Sequence, residues 1–242
     1  VDVLEKNQKQ GQNLLVIQNN MTKTILILSG GMDSVTLLYE LLHEGREVKC
    51  ISFDYGQRHK RELEQAKKVC EKLGLQHKIV DMTFIKELIS NSALTGDVEV
   101  PHGHYEDESM RLTVVPNRNM IMASIAIGWA VNLDYDEIAL GVHAGDHAIY
   151  PDCRPEFILA LSHIAQLANY KSIRVYTPFL NIDKGDIVLR GKQLCVPYEL
   201  THTCYQGTEI PCGLCGACQE RKFAFRKAEL LDPLTQPSQG SN

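Results

Sequence analysis

The stretch Thr24-Ile25-Leu26-Ile27-Leu28-Ser29-Gly30-Gly31-Met32-Asp33-Ser34-Val35-Thr36-Leu37-Leu38 limits the possible folds more than any other part of the chain. A short apolar β-prone run ends in Ser-Gly-Gly and a helix-like apolar pattern begins at once, so two glycines stand where a parallel strand turns into a helix. Such a junction is an anion site. Residues without side chains let phosphate approach backbone N–H groups, Asp33 or Ser34 is placed to cap the helix, and the positive helix end faces the anion. A helix ended by Gly45 and a second buried strand over residues 48–53 follow, and a right-handed crossover makes the two strands parallel. The loop and the polar run Asp54-Tyr55-Gly56-Gln57 then share the carboxyl edge of one sheet, where open α/β sheets bind ligands.

The alternation continues. Leu63, Ala66, Val69, Cys70 and Leu73 mark one face of a helix ending at Gly74, with Arg58, His59, Lys60, Arg61, Lys67 and Lys68 as its solvated side. Residues 76–81 read as a third strand and 84–89 as a short helix. Residues 91–113 then lose periodicity and carry His102, His104, Glu106, Asp107 and Glu108, as a functional lid would. A helix over about 120–131 is apolar nearly all round, which places Asn117, Arg118 and Asn119 at the start of a rigid, buried element. A fourth strand over 137–142 leads into a polar loop through Tyr150-Pro151-Asp152-Cys153-Arg154, and Pro155 opens a helix to about residue 169. In that loop Arg154 is suited to take a carboxylate by two parallel hydrogen bonds, and Asp146 or Asp152 to accept from the ring N–H groups of a purine-like base. Cys153 has no partner histidine at a defined spacing and reads as packing. A fifth strand over 172–176 precedes a helix opened by Asp183-Lys184. The expected fold is α/β: a Rossmann-like, parallel five-stranded sheet with helices on both faces.

Eight cysteines would suit a secreted disulfide framework, but four are scattered while Cys204, Cys212, Cys215 and Cys218 lie close together. Two C-x-x-C steps sharing one cysteine, with a fourth thiol eight residues upstream, suit tetrahedral zinc, with an iron–sulfur cluster or a redox dithiol as rivals. Four protein ligands would leave no open coordination position, so the metal's role is expected to be structural. The formal charge of −5 offers no electrostatic footprint for a nucleic acid. No apolar run approaches the roughly 18 residues that cross a bilayer, and the start lacks a secretory layout, so a cytoplasmic protein is expected.

Ser29-Gly30-Gly31-Met32-Asp33-Ser34 resembles the Ser-Gly-Gly-x-Asp-Ser loop of the PP-loop ATP pyrophosphatases, which cleave ATP between the α and β phosphates to adenylate an oxygen. The common phosphate loop would need a Lys-Ser/Thr pair that is absent here. With Val115-Pro116-Asn117-Arg118-Asn119, the run from Tyr150 to Phe157 and the cysteine cluster, residues 24–229 resemble the 7-cyano-7-deazaguanine synthase family, nitrile-forming enzymes of queuosine biosynthesis. One departure is His147-Ala148-Ile149 before the Tyr-Pro-Asp-Cys run. The resemblance implies an ATP-dependent carbon–nitrogen ligase, AMP-forming at activation, that acts on 7-carboxy-7-deazaguanine with ammonia and Mg2+. It implies ATP along Leu28, Ser29, Gly30, Gly31, Met32, Asp33, Ser34, Val35, Thr36, Leu37 and Leu38. Asp33, Lys184 and Arg118 would be the catalytic groups, with Asp33 acting through Mg2+, and Asp146, Asp152 and Arg154 would meet the substrate. Zinc on Cys204, Cys212, Cys215 and Cys218 and a homodimer are implied as well.

Two other readings stay open: a tRNA-modifying ATP pyrophosphatase, against which the acidic balance counts, and a zinc-stabilised nucleotide-binding module without turnover. The expected organisation is an extension over residues 1–20, a nucleotide domain over 21–194, a zinc segment over 195–231 and a disordered tail over 232–242.

Overall fold

The computed structural model describes residues 21–58, 60–96, 99–101 and 108–235. The extension 1–20, His102, His104, Glu106 and Asp107 of the expected lid, and residues 236–242 lie outside that set. Five parallel strands, β1 (Lys23–Ile27), β2 (Glu47–Asp54), β3 (His77–Asp81), β4 (Glu137–Ala139) and β5 (Arg174–Tyr176), form one sheet in the order β3-β2-β1-β4-β5. The chain winds outward from β1 to one edge and then returns to build the other half from β4. The topological switch therefore falls between β1 and β4, where the carboxyl ends open a crevice.

Helices cover both faces because side chains alternate along every strand. Ile25, Ile51, Phe53 and Ile138 enter one core with Met122, Ala126 and Ile127 of α3 (Arg118–Asn132) and Ile158 and Leu161 of α4 (Pro155–Leu167). Leu26, Cys50 and Ala139 enter the other. There they meet Val35, Leu38 and Leu41 of α1 (Met32–His43), Ala66 and Val69 of α2 (Arg61–Leu73), Ile187 and Val188 of α5 (Lys184–Gln193), and Phe225 of α6 (Gly216–Lys227). Gly74 ends α2 in the left-handed conformation at φ 65°, as its position past the last apolar residue predicts.

Three expectations change. The segment over 84–89 is a 3-10 helix, Thr83–Ile89, and β4 stops at Ala139 although the apolar run continues through Val142. Leu140 N–H still reaches Tyr176 O at 3.1 Å, but β5 ends there and no longer ladder forms. The last helix begins at Gly216, inside the cysteine run. Order also continues past the expected start of the tail: buried Asp232 accepts from Arg221 Nε at 2.8 Å and Nη2 at 2.9 Å.

The amino edge of the sheet holds one fully buried carboxylate. Glu137 accepts from Thr24 Oγ1 at 2.6 Å and Arg174 Nε at 2.7 Å, and also from Arg46, whose guanidinium is itself mostly covered. Removing one member of such a pair leaves the other charge stranded, so Glu137→Ala is expected to cost about 3–5 kcal/mol. Denaturant unfolding checks this. A loss below about 1 kcal/mol, the range of an exposed pair, would contradict it.

Candidate active site

At the carboxyl end of β1 the chain passes through residues 28–31 into α1. Gly30 has φ +91°, and a Cβ there would lie 2.0 Å from the carbonyl oxygen of Glu62 on α2, so only glycine fits. Two hydroxyls hold the loop. Ser34 Oγ accepts from Gly30 N–H at 3.3 Å and donates to Gly31 O at 3.1 Å, while Ser29 Oγ accepts from Gly31 N–H at 3.2 Å. Neither Asp33 nor Ser34 caps α1 as the sequence suggested. The cap residue is Gly31 with no side-chain cap, because Ser34 is drawn into the loop and Asp33 points toward Lys184.

The eleven residues expected along ATP divide by helix geometry. Leu28, Ser29, Gly31, Asp33 and Ser34 line a cavity of about 240 Å³ at the switch point. Met32, Val35, Leu37 and Leu38 are buried in the second core instead, and Thr36 Oγ1 donates to Met32 O at 2.7 Å and lies 3.0 Å from Tyr198 Oη. Successive helical residues point in different directions, so a continuous run cannot face one ligand.

Lys184, the first residue of α5, reaches the cavity over the loop. Asp183 caps that helix by accepting from the N–H groups of Gly185 at 2.8 Å and Asp186 at 3.2 Å, which sets where Lys184 starts. Its Nζ lies 3.2 Å from Asp33 Oδ2 and donates to Glu220 of α6. Burial works against this charge, but Asp33, Glu220 and Asp146 outweigh it and hold the ammonium protonated above the ordinary lysine value. His143, buried just past β4, accepts from Gly145 N–H on Nδ1 at 3.1 Å, which leaves the proton on Nε2. That nitrogen faces Asp146 at 3.4 Å, Asp33 at 3.9 Å and Glu220 at 4.0 Å. Burial raises the Glu220 carboxyl, against Lys184 and His143, which lower it.

Glu62, Tyr55, Arg118 and Asn119 also line the cavity, Glu62 beside the loop itself. Desolvation pushes the Glu62 carboxyl up to about 7 although Arg118 and Lys184 pull it down. Burial also opposes the Arg118 charge, but Tyr55, Asp152, Cys153 and Tyr150 more than offset it, so the guanidinium stays cationic. Asn117 adopts φ 57° and gives no side-chain cap to α3; Asp152 Oδ2 serves that helix end instead, accepting from Asn119 N–H at 2.9 Å.

Of the three residues expected at the substrate, Asp146 lines the cavity. Asp152 lies behind the wall at the α3 terminus, and Arg154 donates from Nε to His147 O at 2.8 Å on an exposed surface. Neither lines the cavity: the 3-10 turn Pro151–Cys153 carries Asp152 under α3 and Arg154 away from the sheet edge. The Cys153 thiol is pushed well up by burial, Asp146 and Asp152, which suits packing rather than nucleophilic attack.

The cysteine segment borders the cavity as well. The four sulfurs of Cys204, Cys212, Cys215 and Cys218 lie within 4.8 Å of one another, the group able to hold a metal among the described residues. Tetrahedral zinc–thiolate bonds would set the sulfurs about 3.8 Å apart, and Cys212 and Cys218 stand at 3.9 Å. A multi-iron cluster divides its cysteines among two or more metals and would spread the sulfurs further. Backbone N–H groups of Cys212 and Cys215 donate to Cys204 and Cys212 sulfur at 3.3 and 3.4 Å, and the amino end of α6 starts at Cys215. Both favour thiolate. The clip touches the phosphate loop directly: His202 N–H donates to Gly30 O at 3.1 Å, and Thr203, Tyr205, Ala217 and Glu220 join the lining.

Glu62, His143, Thr203 and Glu220 were not distinguished by sequence. Glu62 and Glu220 stand on helices where a polar residue is unremarked, and only the place of His143 just after a strand's carboxyl end could have pointed to it.

A parallel sheet with its switch point beside a Ser-Gly-Gly loop, closed by a lysine and a four-thiolate clip, defines a Rossmann-like α/β protein of the PP-loop nucleotide-binding class. Within that class, the chain belongs to the family described as queuosine biosynthesis protein QueC, whose model matches residues 23–229. It is 53% identical over 216 residues to the 7-cyano-7-deazaguanine synthase of Hahella chejuensis, covering 89% of this chain and 94% of that protein. Identity to the 7-cyano-7-deazaguanine synthase of Marinomonas sp. is 51% over 212 residues, 88% of this chain and 97% of the relative. Among solved structures, the NH3-dependent NAD synthetase of Campylobacter jejuni aligns with a TM-score of 0.45 at 18% identity, over 81% of this chain and 73% of that one. Among the described residues no helix is long and apolar enough to cross a membrane.

Proposed function

We propose that this chain converts 7-carboxy-7-deazaguanine and ammonia to 7-cyano-7-deazaguanine at the expense of ATP. The observation that carries the reading is the cavity at the switch point, which the Ser-Gly-Gly loop, Lys184 and Arg118 line together. A carboxylate resists nucleophiles because its charge repels them and oxide does not leave. Attack of its oxygen on the α-phosphorus, with departure of pyrophosphate, answers both difficulties. Ammonia then displaces AMP to give the amide. Attack by the amide oxygen on a second ATP and loss of AMP, with two protons leaving the nitrogen, form the nitrile.

In this scheme the loop amides and Lys184 stabilise charge that gathers on pyrophosphate, and Arg118 aligns the acid. Asp146, which lines the cavity, would accept from the deazapurine N–H groups. The lining carries four carboxyl side chains, Asp33, Glu62, Asp146 and Glu220, against the cations Arg118 and Lys184, a balance that favours a divalent cation entering with ATP. Asp33, whose Oδ1 is buried without a hydrogen-bond partner among the described residues, would hold that Mg2+. Bound there, it would neutralise phosphate charge. Zinc on the four thiolates would brace the clip, and the catalytic unit would be a cytoplasmic homodimer.

Mass spectrometry of a reaction with ATP, ammonium and the carboxy-deazaguanine is expected to show the nitrile and two AMP per nitrile. AMP formed only when tRNA is added, or no AMP at all, would replace this reading with one of its two rivals.

A further inference from the structure

Two buried polar atoms of the cavity lining, Asp33 Oδ1 and Thr203 Oγ1, have no hydrogen-bond partner among the described residues. Thr203 is 7% exposed, so its hydroxyl has given up water without a protein bond in return. A dehydrated, unpaired hydroxyl destabilises a fold, and one retained in a cavity wall points to a ligand that completes it.

The surroundings identify the ligand atom. His202 N–H is bonded to Gly30 O at 3.1 Å, and His202 O would lie 3.6 Å from a Cβ on Gly31, so the backbone entering Thr203 runs along the glycine half of the loop. The next residue is Cys204, fully buried within the thiolate cluster. Thr203 is thus held between the phosphate loop and the clip. We propose that Thr203 is a ligand-binding residue whose hydroxyl donates to an oxygen of the pyrophosphate half of ATP, its position set by the four-cysteine clip. This rests on the nucleotide reading above and gives the clip a direct part in that site: it carries a donor to the phosphates as well as bracing the fold.

The test uses the full chain and Thr203→Val, which keeps the shape and removes the hydroxyl, with Thr203→Ser to restore it. Calorimetric titration with inorganic pyrophosphate is expected to show affinity about 10-fold lower or more in the Val variant, as for a hydrogen bond to a charged group. The Ser variant is expected to bind like the parent, and AMP to bind all three equally. The thermal midpoint of the Val variant should stay level or rise, because an unpaired buried hydroxyl has been removed. Thr203→Ala carries the same expectation for pyrophosphate and serves if Val does not fold. Equal pyrophosphate affinity in the parent and the hydroxyl-free variants overturns the inference while leaving the nucleotide reading intact. So does a loss shared equally by AMP. A parent chain that binds neither pyrophosphate nor AMP overturns both.

Discussion

Gly30→Ala is expected to abolish phosphate binding and to unsettle the fold around it. A methyl group at that position would stand 2.0 Å from the backbone oxygen of Glu62 and 3.0 Å from Ala66 N, in a residue whose φ of +91° already excludes most side chains. Backbone on both sides means that no rotamer relieves the clash, so the first turn of α2 has to move away from the loop. Left-handed strain of about 1–2 kcal/mol and overpacking of about 1–3 kcal/mol place the stability loss at roughly 3 kcal/mol. Moving α2 also displaces Glu62, and a loss of at least about 100-fold in ATP affinity should accompany it, as expected when preorganised donors are misplaced. Gly31→Ala is the control. There φ is −75°, and the added carbon meets Ser29 Oγ at 3.3 Å and, at ordinary contact distance, His202 O at 3.6 Å and Glu62 Oε1 at 4.0 Å, so the fold should stand while the methyl group obstructs the anion. Chemical unfolding and calorimetry on both variants separate the outcomes. A Gly30→Ala protein with parental stability would mean that the loop is not held as described.

Loss of the clip metal is expected to have the other large effect. Cys204 is fully buried, and the segment that holds it also supplies His202 to Gly30, Thr203 and Tyr205 to the cavity and, through α6, Glu220 to Lys184. Without a cation, four thiols remain within 4.8 Å of one another, and their thiolate forms repel. Structural zinc is worth about 10–16 kcal/mol in isolated zinc-finger peptides, an upper bound where a large core already exists. Cys204→Ser is expected to reduce bound zinc from one per chain to a small fraction and to lower the thermal midpoint by about 10 °C or more, equivalent to several kcal/mol at this size. Elemental analysis with calorimetric melting reads both. Protons compete with metal for thiolate, so metal release should become easier as pH falls. A variant that loses zinc yet melts like the parent would reduce the clip to an accessory.

Much of this was legible in the order of residues. The strand-to-helix turn at Ser29-Gly30-Gly31 is a local event, encoded by an apolar run, two glycines and a helical repeat within fifteen residues. The cysteine cluster is local in the same sense, since three of its ligands lie within seven residues of one another. Burial of alternate strand residues and the end of α2 at Gly74 follow from periodicity and backbone permissiveness. Expectations failed where a distant partner decided. β4 stops early because its neighbour β5 does, and Asp152 serves a helix more than thirty residues earlier. Within the run from Leu28 to Leu38, about half of the side chains face the core and half the cavity, a division only the packing decides.

From sequence alone came the fold class, the glycine loop between strand and helix and the four-cysteine group able to hold a metal, each set by interactions a few residues long, where spacing by itself determines geometry. Tertiary structure alone decided the charge constellation of Asp33, His143, Asp146, Lys184 and Glu220, and the unpaired hydroxyl of Thr203. Those side chains come from five separate stretches, and no periodicity links them. They meet because the strand order β3-β2-β1-β4-β5 and the thiolate clip bring the β1, β4 and α5 ends and the amino end of α6 to one edge, and Coulomb energy acts through space rather than along the chain.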